Sequence, residues 1–258
     1  GVKIRGGVSY WHWDREHNGP CSVSTKIGDH LVGPPVSRYL DAYDVLVRRN
    51  AAVTILDKVS GYRIDGEKEP SLGDHVSARK PFGLTNEKGK PSPEGLSDPV
   101  LVYGNQIQTY MERSANPANT DWIDDWKVLL VKAHGTSGRE DLTILGEPVL
   151  AAPGSACTET YLVIGRTKSE KEARHLASYM RTRFVRFLVS LRKITQNITR
   201  DSYRFVPLLP MDRDWTDDEL FERYGLSDDD IDFIETNIKE RPSDEETPDA
   251  AAEDEVDE

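Results

Sequence analysis

Residues 166–210 read RTKSEKEARHLASYMRTRFVRFLVSLRKITQNITRDSYRFVPLLP. Large apolar residues recur in this stretch mostly at steps of three and four: Leu176, Met180, Phe184, Phe187, Leu188, Leu191 and Ile194. This spacing places side chains on one face of a helix. The stretch therefore predicts a long amphipathic helix, capped at its start by Ser169 with Glu172 three residues later.

The same stretch is strongly basic. Between Arg166 and Arg204 it has eleven Lys or Arg residues against three acidic residues. Five of the basic residues lie outside the apolar face of the predicted helix: Arg174, Arg181, Arg186, Arg192 and Lys193. A charged face is ordinary on a helix whose other face is buried. The alternative is that these side chains hold the phosphates of a nucleic acid, which attract such a density of positive charge.

Short hydrogen-bonding side chains follow the predicted helix: Thr195, Gln196, Asn197, Thr199 and Arg200. Side chains of these types can reach both phosphates and base edges. We therefore expect this polar patch to approach the groove of a bound duplex, while the arginines of the helix hold its backbone.

The charge of the chain is unevenly distributed. The net charge is -12 over 258 residues, a length that can hold one large domain or two small ones. Residues 211–258 have 21 acidic and 4 basic residues, whereas residues 1–210 have 24 acidic and 29 basic residues. The body is thus mildly basic, and residues 242–258 form an acidic tail that we expect to be disordered. We also expect this tail to lower nonspecific binding to DNA.

Several classes of protein are disfavoured by the sequence. No window is long and apolar enough to span a membrane. The only cysteines, Cys21 and Cys157, are too few for a disulfide scaffold or a zinc site, which favours a reducing cytoplasm. The phosphate-loop and HExxH motifs do not occur. A nucleophile and base formed by Cys157 and His134 is disfavoured, because a lone Cys in β-rich sequence is usually a buried apolar residue. No catalytic residue and no metal ligand is assigned.

The order of the patterns predicts an α+β fold with a mostly antiparallel sheet, which the long helix braces. Residues 1–27 should form a hairpin and residues 28–60 a helical connector. Residues 61–210 should form the main domain, with β patterns at 98–111, 126–134, 144–165 and 203–209. A helical pair at 211–241 should follow, with Gly225 ending its first helix and Ser227 capping its second.

Loops between the predicted strands add polar candidates for binding. Arg79 and Lys80 lie beside Phe82 in a turn, and Lys132 and His134 lie at the end of a strand. Arg139 belongs to the loop GTSGRED. Because loops on a rigid sheet commonly hold binding residues, we expect these five basic side chains to approach DNA as well: Arg79, Lys80, Lys132, His134 and Arg139.

Seven blocks in a fixed order resemble a known family. They are GGVSYWHWDREHNGPCSV, ARKPFGL, VYGNQIQTY, WKVLLVKAHG, PGSACTETYLVIG, FVRFLVSLRKITQNITRDSYRFVPL and WTDDELFERYGLSDDDIDFIE. Together they are similar to the C-terminal, target-recognition part of adenine-specific DNA methyltransferases of restriction-modification systems. The branch is the one in which methylase and specificity regions share one chain, sometimes with a nuclease. The resemblance covers the chain except for its acidic tail.

The resemblance implies a division of labour. Residues 6–27 would be the closing hairpin of the methylase sheet, where Tyr10 or Trp11 is the candidate for stacking on the extruded base. Residues after this hairpin would recognise double-stranded DNA. The cofactor of the full-length enzyme would be S-adenosylmethionine, but its glycine motif and the NPPY tetrapeptide do not occur in this sequence. We therefore expect a non-catalytic piece of a longer protein, whose partners are DNA and the N-terminal methylase region.

Two other interpretations stay open. The chain could be a stand-alone specificity subunit that acts in trans with a separate methylase. It could also be a protein-interaction domain that uses its acidic tail, although the basic body argues against this second alternative.

Overall fold

The computed structural model describes residues 8–85, 89–134, 144–193, 195 and 197–241. Over these residues the chain is a mixed α+β protein with small, mainly antiparallel sheets and five α-helices. The predicted fold class is thereby confirmed in outline. The predicted acidic tail at 242–258 lies outside the described residues.

The elements follow one another along the chain with these bounds. The helices are α1 (Asn50–Gly61), α2 (Glu170–Arg181), α3 (Arg183–Ser190), α4 (Asp217–Arg223) and α5 (Asp228–Asn237). The first six strands are β1 (Cys21–Val23), β2 (Lys26–Ile27), β3 (His30–Leu31), β4 (Val36–Arg38), β5 (Arg63–Ile64) and β6 (Glu67–Lys68). The last six are β7 (Pro99–Tyr103), β8 (Gln108–Glu112), β9 (Trp126–Val131), β10 (Val149–Ala151), β11 (Ser155–Cys157) and β12 (Tyr161–Thr167).

The antiparallel sheet β10-β9-β12 is the middle layer of the molecule. Along β9, Val128 and Leu130 join the apolar residues of α2 and α3, whereas Leu129 joins Val100 and Val102 of β7. Successive side chains of a strand point to opposite faces. Helices therefore cover one face of this sheet, and the second sheet, β11-β7-β8, covers the other.

The predicted long helix is in fact two helices, α2 and α3, separated by Thr182. The backbone of Thr182 is extended (φ -58°, ψ 147°), and its hydroxyl accepts a hydrogen bond from the Val185 amide while donating one to the Tyr179 carbonyl over 2.8 Å. A Thr that caps the start of a new helix in this way satisfies backbone groups that a break would leave without partners. The prediction of one continuous helix is therefore wrong, although its apolar positions in α2 and α3 are buried.

The N-terminal part differs from both predictions made for it. Residues 8–20 contain no strand, and β1 pairs with β4 rather than with the preceding residues. Residues 39–49 are not helical. Instead, the buried guanidinium of Arg38 donates a hydrogen bond to the carbonyl of Val47 at 2.9 Å. A side chain that hydrogen-bonds the backbone in this way competes with helical hydrogen bonds. The helical connector predicted at 28–60 thus begins only at Asn50.

Residues 203–209 do not form the predicted strand. A short 3₁₀ turn, Arg200–Tyr203, begins this region, and a single bridge between Ser71 and Pro207 follows. Pro207 lacks the amide hydrogen that a strand ladder needs.

The helical pair α4 and α5 is confirmed together with its end signals. Ser227 accepts a hydrogen bond from the Asp230 amide, and Gly225 ends α4 with a φ of 60° that suits glycine. No helix in the described part of the chain is both long and apolar enough to cross a membrane.

Candidate nucleic-acid interface

A cleft of about 630 Å³ brings together four segments that are distant in the sequence. Its lining residues are Ala78, Arg79, Lys132, Leu162, Asn197, Ile198, Thr199, Arg200, Asp201 and Arg204. Five of them are among the residues predicted from the sequence to contact DNA: Arg79, Lys132, Asn197, Thr199 and Arg200. We call this feature the basic cleft.

The end of β9 holds one side of the basic cleft. The amide of Lys132 donates to the carbonyl of Thr160 at 2.7 Å, and the carbonyl of Lys132 accepts from the amide of Ile198 at 2.7 Å. An isolated antiparallel bridge joins Ala133 to Asn197 next to this contact. The polar patch that follows α3 is therefore fixed to the central sheet by its backbone.

The loop that includes Arg79 is fixed to the same sheet. The amide of Ser77 donates to the carbonyl of Val163 at 2.8 Å, and the hydroxyl of Ser77 accepts from the amide of Val163 at 2.9 Å. From the other side, Nε of Arg200 donates to the carbonyl of Val76 at 2.7 Å. Arg79 and Arg200 thus face one cleft because β12 and the 3₁₀ turn hold the same loop.

Arg204 is a basic residue of this cleft that the sequence reasoning missed. Its side chain is 56% exposed, and Nε lies 3.0 Å from a carboxylate oxygen of Asp201. The turn that presents it begins where the amide of Thr199 donates to the hydroxyl of Ser202 at 3.2 Å. The signal was present in the sequence, since Arg200 and Arg204 are four residues apart at the end of the basic stretch.

The charge of the cleft is positive. Arg79, Lys132, Arg200 and Arg204 line it together with a single carboxylate, that of Asp201. At its rim, Glu159 lies 2.8 Å from Arg79 and 3.6 Å from the ammonium of Lys80. The hydrogen bond from Arg79 is the main cause that lowers the pKa of Glu159. Glu159 is therefore an ionised carboxylate that binds two of the basic side chains predicted to contact DNA.

Arg186 is not available to DNA, contrary to the prediction. It is 1% exposed, and its guanidinium donates to the carbonyls of Arg181 (2.9 Å), Thr182 (3.2 Å) and Lys239 (2.7 Å). Burial lowers its pKa to about 10. Arg186 therefore links the end of α2 to residues near the end of the described chain.

Three further residues predicted to contact phosphates make internal contacts. The side chain of Arg192 is 7% exposed, holds the carboxylate of Asp44 and lies 4.8 Å from the ring centre of Phe205. Lys193 donates to the carbonyls of His134 (2.9 Å) and Ile144 (2.6 Å). Arg181 is largely buried, and its Nε lies 3.5 Å from Glu147. A helical wheel does not show these contacts, because it omits the segments that cover its polar side. The role of the three side chains as phosphate anchors stays a prediction.

The remaining candidates lie apart from the lining of the cleft or at its end. Arg174 is exposed on α2 and pairs with Glu170. Thr195 is exposed, and its hydroxyl accepts from the amide of Asn197 at 3.1 Å. Tyr10 and Trp11 are 84% and 79% exposed. Two candidates, Arg139 and Gln196, lie outside the described residues.

No group of acidic, His or Cys side chains suited to a metal occurs among the described residues. Burial raises the pKa of the Cys157 thiol, so this thiol is a core group, as its sequence context predicted. A second cleft of about 640 Å³ adjoins the basic cleft and shares Arg204 with it, but Asp44, Asp57 and Glu69 contribute carboxylates to its lining.

No family model, curated protein or solved structure matches this chain, so a function has to be argued from the arrangement of its own residues.

Proposed function

We propose that this chain is the DNA-recognition segment of an adenine-specific methyltransferase from a restriction-modification system, and that it binds double-stranded DNA in the basic cleft. The observation that supports this most directly is the convergence of Arg79, Lys132 and the segment 197–200 on one cleft. These positions are far apart in the sequence, and each was selected for the chemistry of its side chain alone.

The lining of the cleft has the two kinds of group that DNA recognition needs. The side chains of Arg79 and Arg204 are more than half exposed, so their guanidinium groups can approach phosphates. Asn197 and Thr199 are exposed beside them and can hydrogen-bond to base edges. A well-placed pair of such bonds discriminates between bases by about 1–3 kcal/mol. Binding energy of this kind would offset the cost of swinging an adenine out of the duplex, a few kcal/mol.

The exposed apolar surface supports a catalytic region as the second partner. Of thirteen large apolar side chains that are exposed in the described chain, eleven lie between residues 8 and 46. Concentrations of this kind mark surfaces that contact another protein. We propose that residues 8–46 contact the methylase region and that Tyr10 or Trp11 stacks on the extruded base, as the resemblance implies.

The other parts of the proposal follow from this division. S-adenosylmethionine would bind to the methylase region, so no step of methyl transfer is assigned to this chain. Helices α2 and α3 would brace the sheet that presents the cleft. The enzyme would act in the cytoplasm, in keeping with two cysteines that are both free.

Fluorescence anisotropy with random and genomic duplexes tests the proposal. We expect the double variant Arg79→Ala, Arg200→Ala to bind duplexes of all sequences at least about tenfold more weakly, with a salt slope reduced by about 2. The matched control is Arg174→Ala, which removes an exposed arginine of α2 outside the lining of the cleft. Equal affinities of the wild type and the double variant, or an equal loss in the control, would contradict the proposal.

A further inference from the structure

The end of the described chain is fixed to the body of the protein. The guanidinium of Arg241 donates to the carbonyls of Leu145 and Gly146, the latter at 3.1 Å, and lies 3.2 Å from Glu147. Its side chain is 7% exposed. Two residues earlier, the carbonyl of Lys239 accepts a hydrogen bond from the buried Arg186. The described chain therefore ends at a defined place on the protein.

That place adjoins the basic cleft through a short series of contacts. Ile144, next to the residues that hold Arg241, accepts a hydrogen bond from Lys193 at 2.6 Å. The same ammonium donates to the carbonyl of His134 at 2.9 Å. His134 is two residues from Lys132, which lines the cleft. The path from Arg241 to Lys132 thus consists of hydrogen bonds and a few residues of chain.

The composition of residues 242–258 is complementary to the cleft. They have nine Asp or Glu residues and no Lys, Arg or His. The cleft has four basic lining residues and one acidic residue. Arg79 pairs with Glu159 at the rim, and Arg204 lies near Asp201 and Asp44. The positive charge that remains for an external anion is therefore mainly that of Lys132 and Arg200. Seventeen residues can reach about 55 Å at about 3.3 Å per residue, which exceeds the path just described.

From these observations we propose that residues 242–258 bind in the basic cleft of their own chain and compete there with nucleic acid. The tail has carboxylates in place of phosphates, and a polyanionic duplex displaces it. A tethered segment of this length has an effective concentration on the order of millimolar at a nearby site. Weak, salt-sensitive contacts therefore suffice to occupy the cleft and to raise the threshold for nonspecific binding. The competition rests on the proposed function, whereas occupation of the cleft does not.

Zero-length carbodiimide coupling of the full-length chain tests the occupation directly and without DNA. This reaction joins a carboxylate to a lysine amine as an amide with loss of water, and mass spectrometry identifies the joined residues. We expect links from residues 244–258 to Lys132 and Lys80, which 0.5 M salt suppresses. Lys171 is the matched control. It is exposed on α2, which follows the last residue of β12, whereas Lys132 is hydrogen-bonded to Thr160 just before the first residue of β12. Tail links that are equally frequent at Lys171 would overturn the proposal.

DNA affinity tests the competition. We expect replacement of all nine tail carboxylates by Asn or Gln in the full-length chain to tighten duplex binding about tenfold at moderate salt. A smaller change, Glu253→Gln with Asp254→Asn and Glu255→Gln, should tighten it about twofold to threefold. The matched control removes three exposed carboxylates from α4 and α5: Asp218→Asn, Asp229→Asn and Asp232→Asn. An equal gain in this control would show a net-charge effect and overturn the proposal.

The two experiments separate this proposal from the proposed function. If the links to Lys132 form but no variant binds DNA, the function fails and the occupation of the cleft by the tail stands. The tail proposal fails, and the function stands, under three joint outcomes. The wild type binds DNA, no preferential links to Lys132 form, and neutralisation of the tail leaves the affinity for DNA unchanged.

Discussion

Nε of Arg200 donates a hydrogen bond to the backbone carbonyl of Val76 at 2.7 Å, across 124 residues of sequence. This contact joins the segment after α3 to the loop that presents Arg79. Because Ser77 in that loop is also hydrogen-bonded to Val163 of β12, both segments are held on one sheet. The basic cleft is therefore built from backbone that is fixed before any ligand binds, which lowers the entropic cost of binding.

The first prediction concerns Arg200 itself. Arg200→Ala should weaken binding to duplexes of any sequence and lower the slope of log K against log salt by about 1, since it removes one cation from the cleft. Arg200→Lys keeps the charge and should restore most of the slope. Anisotropy titrations over a salt series measure both quantities. If Arg200→Ala changes neither affinity nor slope, Arg200 does not contact DNA.

A second prediction separates Arg192 from the cleft. Arg192→Ala should lower the free energy of unfolding by about 1–3 kcal/mol, because it leaves Asp44 without its main partner and removes a cation from the ring of Phe205. Its affinity for DNA should stay within about twofold of the wild type. Urea denaturation and anisotropy give the two numbers.

Arg174→Ala is the control for stability, because an exposed pair at i and i+4 contributes only about 0.3–0.5 kcal/mol. If the Arg192→Ala variant is as stable as the wild type but binds DNA poorly, Arg192 contacts DNA and the prediction fails.

The features of the fold that the sequence predicted correctly depend on residues that are close together in the chain. Alternation in β9 sends Leu129 and Val128 to opposite faces, and a cap needs only Ser227 and Asp230, which are three residues apart. The same reasoning selected Arg79 and Arg200 by their chemistry. It did not show that they share a cleft, since that depends on hydrogen bonds across more than one hundred residues.

The arginines of α2 and α3 show what a periodic sequence pattern does not predict. Arg174 and Arg186 both lie outside the apolar arc of the predicted helix, yet one is exposed and the other is buried. Part of the difference is a contact with Lys239, 53 residues away, whose carbonyl accepts a hydrogen bond from Arg186. A periodic pattern describes one helix and the face it buries. It does not describe the segment that returns to cover the opposite face.

A third prediction concerns Lys127, a fully buried residue of β9. Its ammonium donates to the carbonyls of Trp122 (3.1 Å), Ile123 (3.1 Å) and Asp125 (2.6 Å). Lys127→Met keeps an unbranched side chain but leaves these acceptors without their donor. We expect it to lower the free energy of unfolding by about 2–4 kcal/mol, measured by urea denaturation at pH 7.5. A stability equal to that of the wild type would show that water replaces the lost donor.

The same residue should give a pH dependence. Burial lowers the pKa of Lys127 from 10.5 to about 8. Between these values the unfolded chain binds more protons than the folded chain, so the contribution of Lys127 to stability rises with pH and is lost as the pH falls through the folded pKa. The difference in unfolding free energy between the wild type and Lys127→Met should therefore grow from about pH 7.5 to about pH 9.5. A constant difference would contradict the lowered pKa.

The last prediction is a gain of affinity. Glu159 holds Arg79 at 2.8 Å and lies 3.6 Å from the ammonium of Lys80, at the rim of the basic cleft. Glu159→Gln keeps the size of the side chain and removes the charge that competes with phosphate for these two groups. Duplex binding should tighten about twofold to fivefold, with a steeper salt slope, because freed cations make additional phosphate contacts.

Glu170→Gln is the matched control, because it releases Arg174 on α2 in the same manner but outside the lining of the cleft. Its affinity for duplex DNA should equal that of the wild type. If Glu170→Gln tightens binding as much as Glu159→Gln does, the effect comes from the total charge of the protein. If Glu159→Gln binds more weakly than the wild type, the carboxylate positions Arg79 for DNA instead of competing for it.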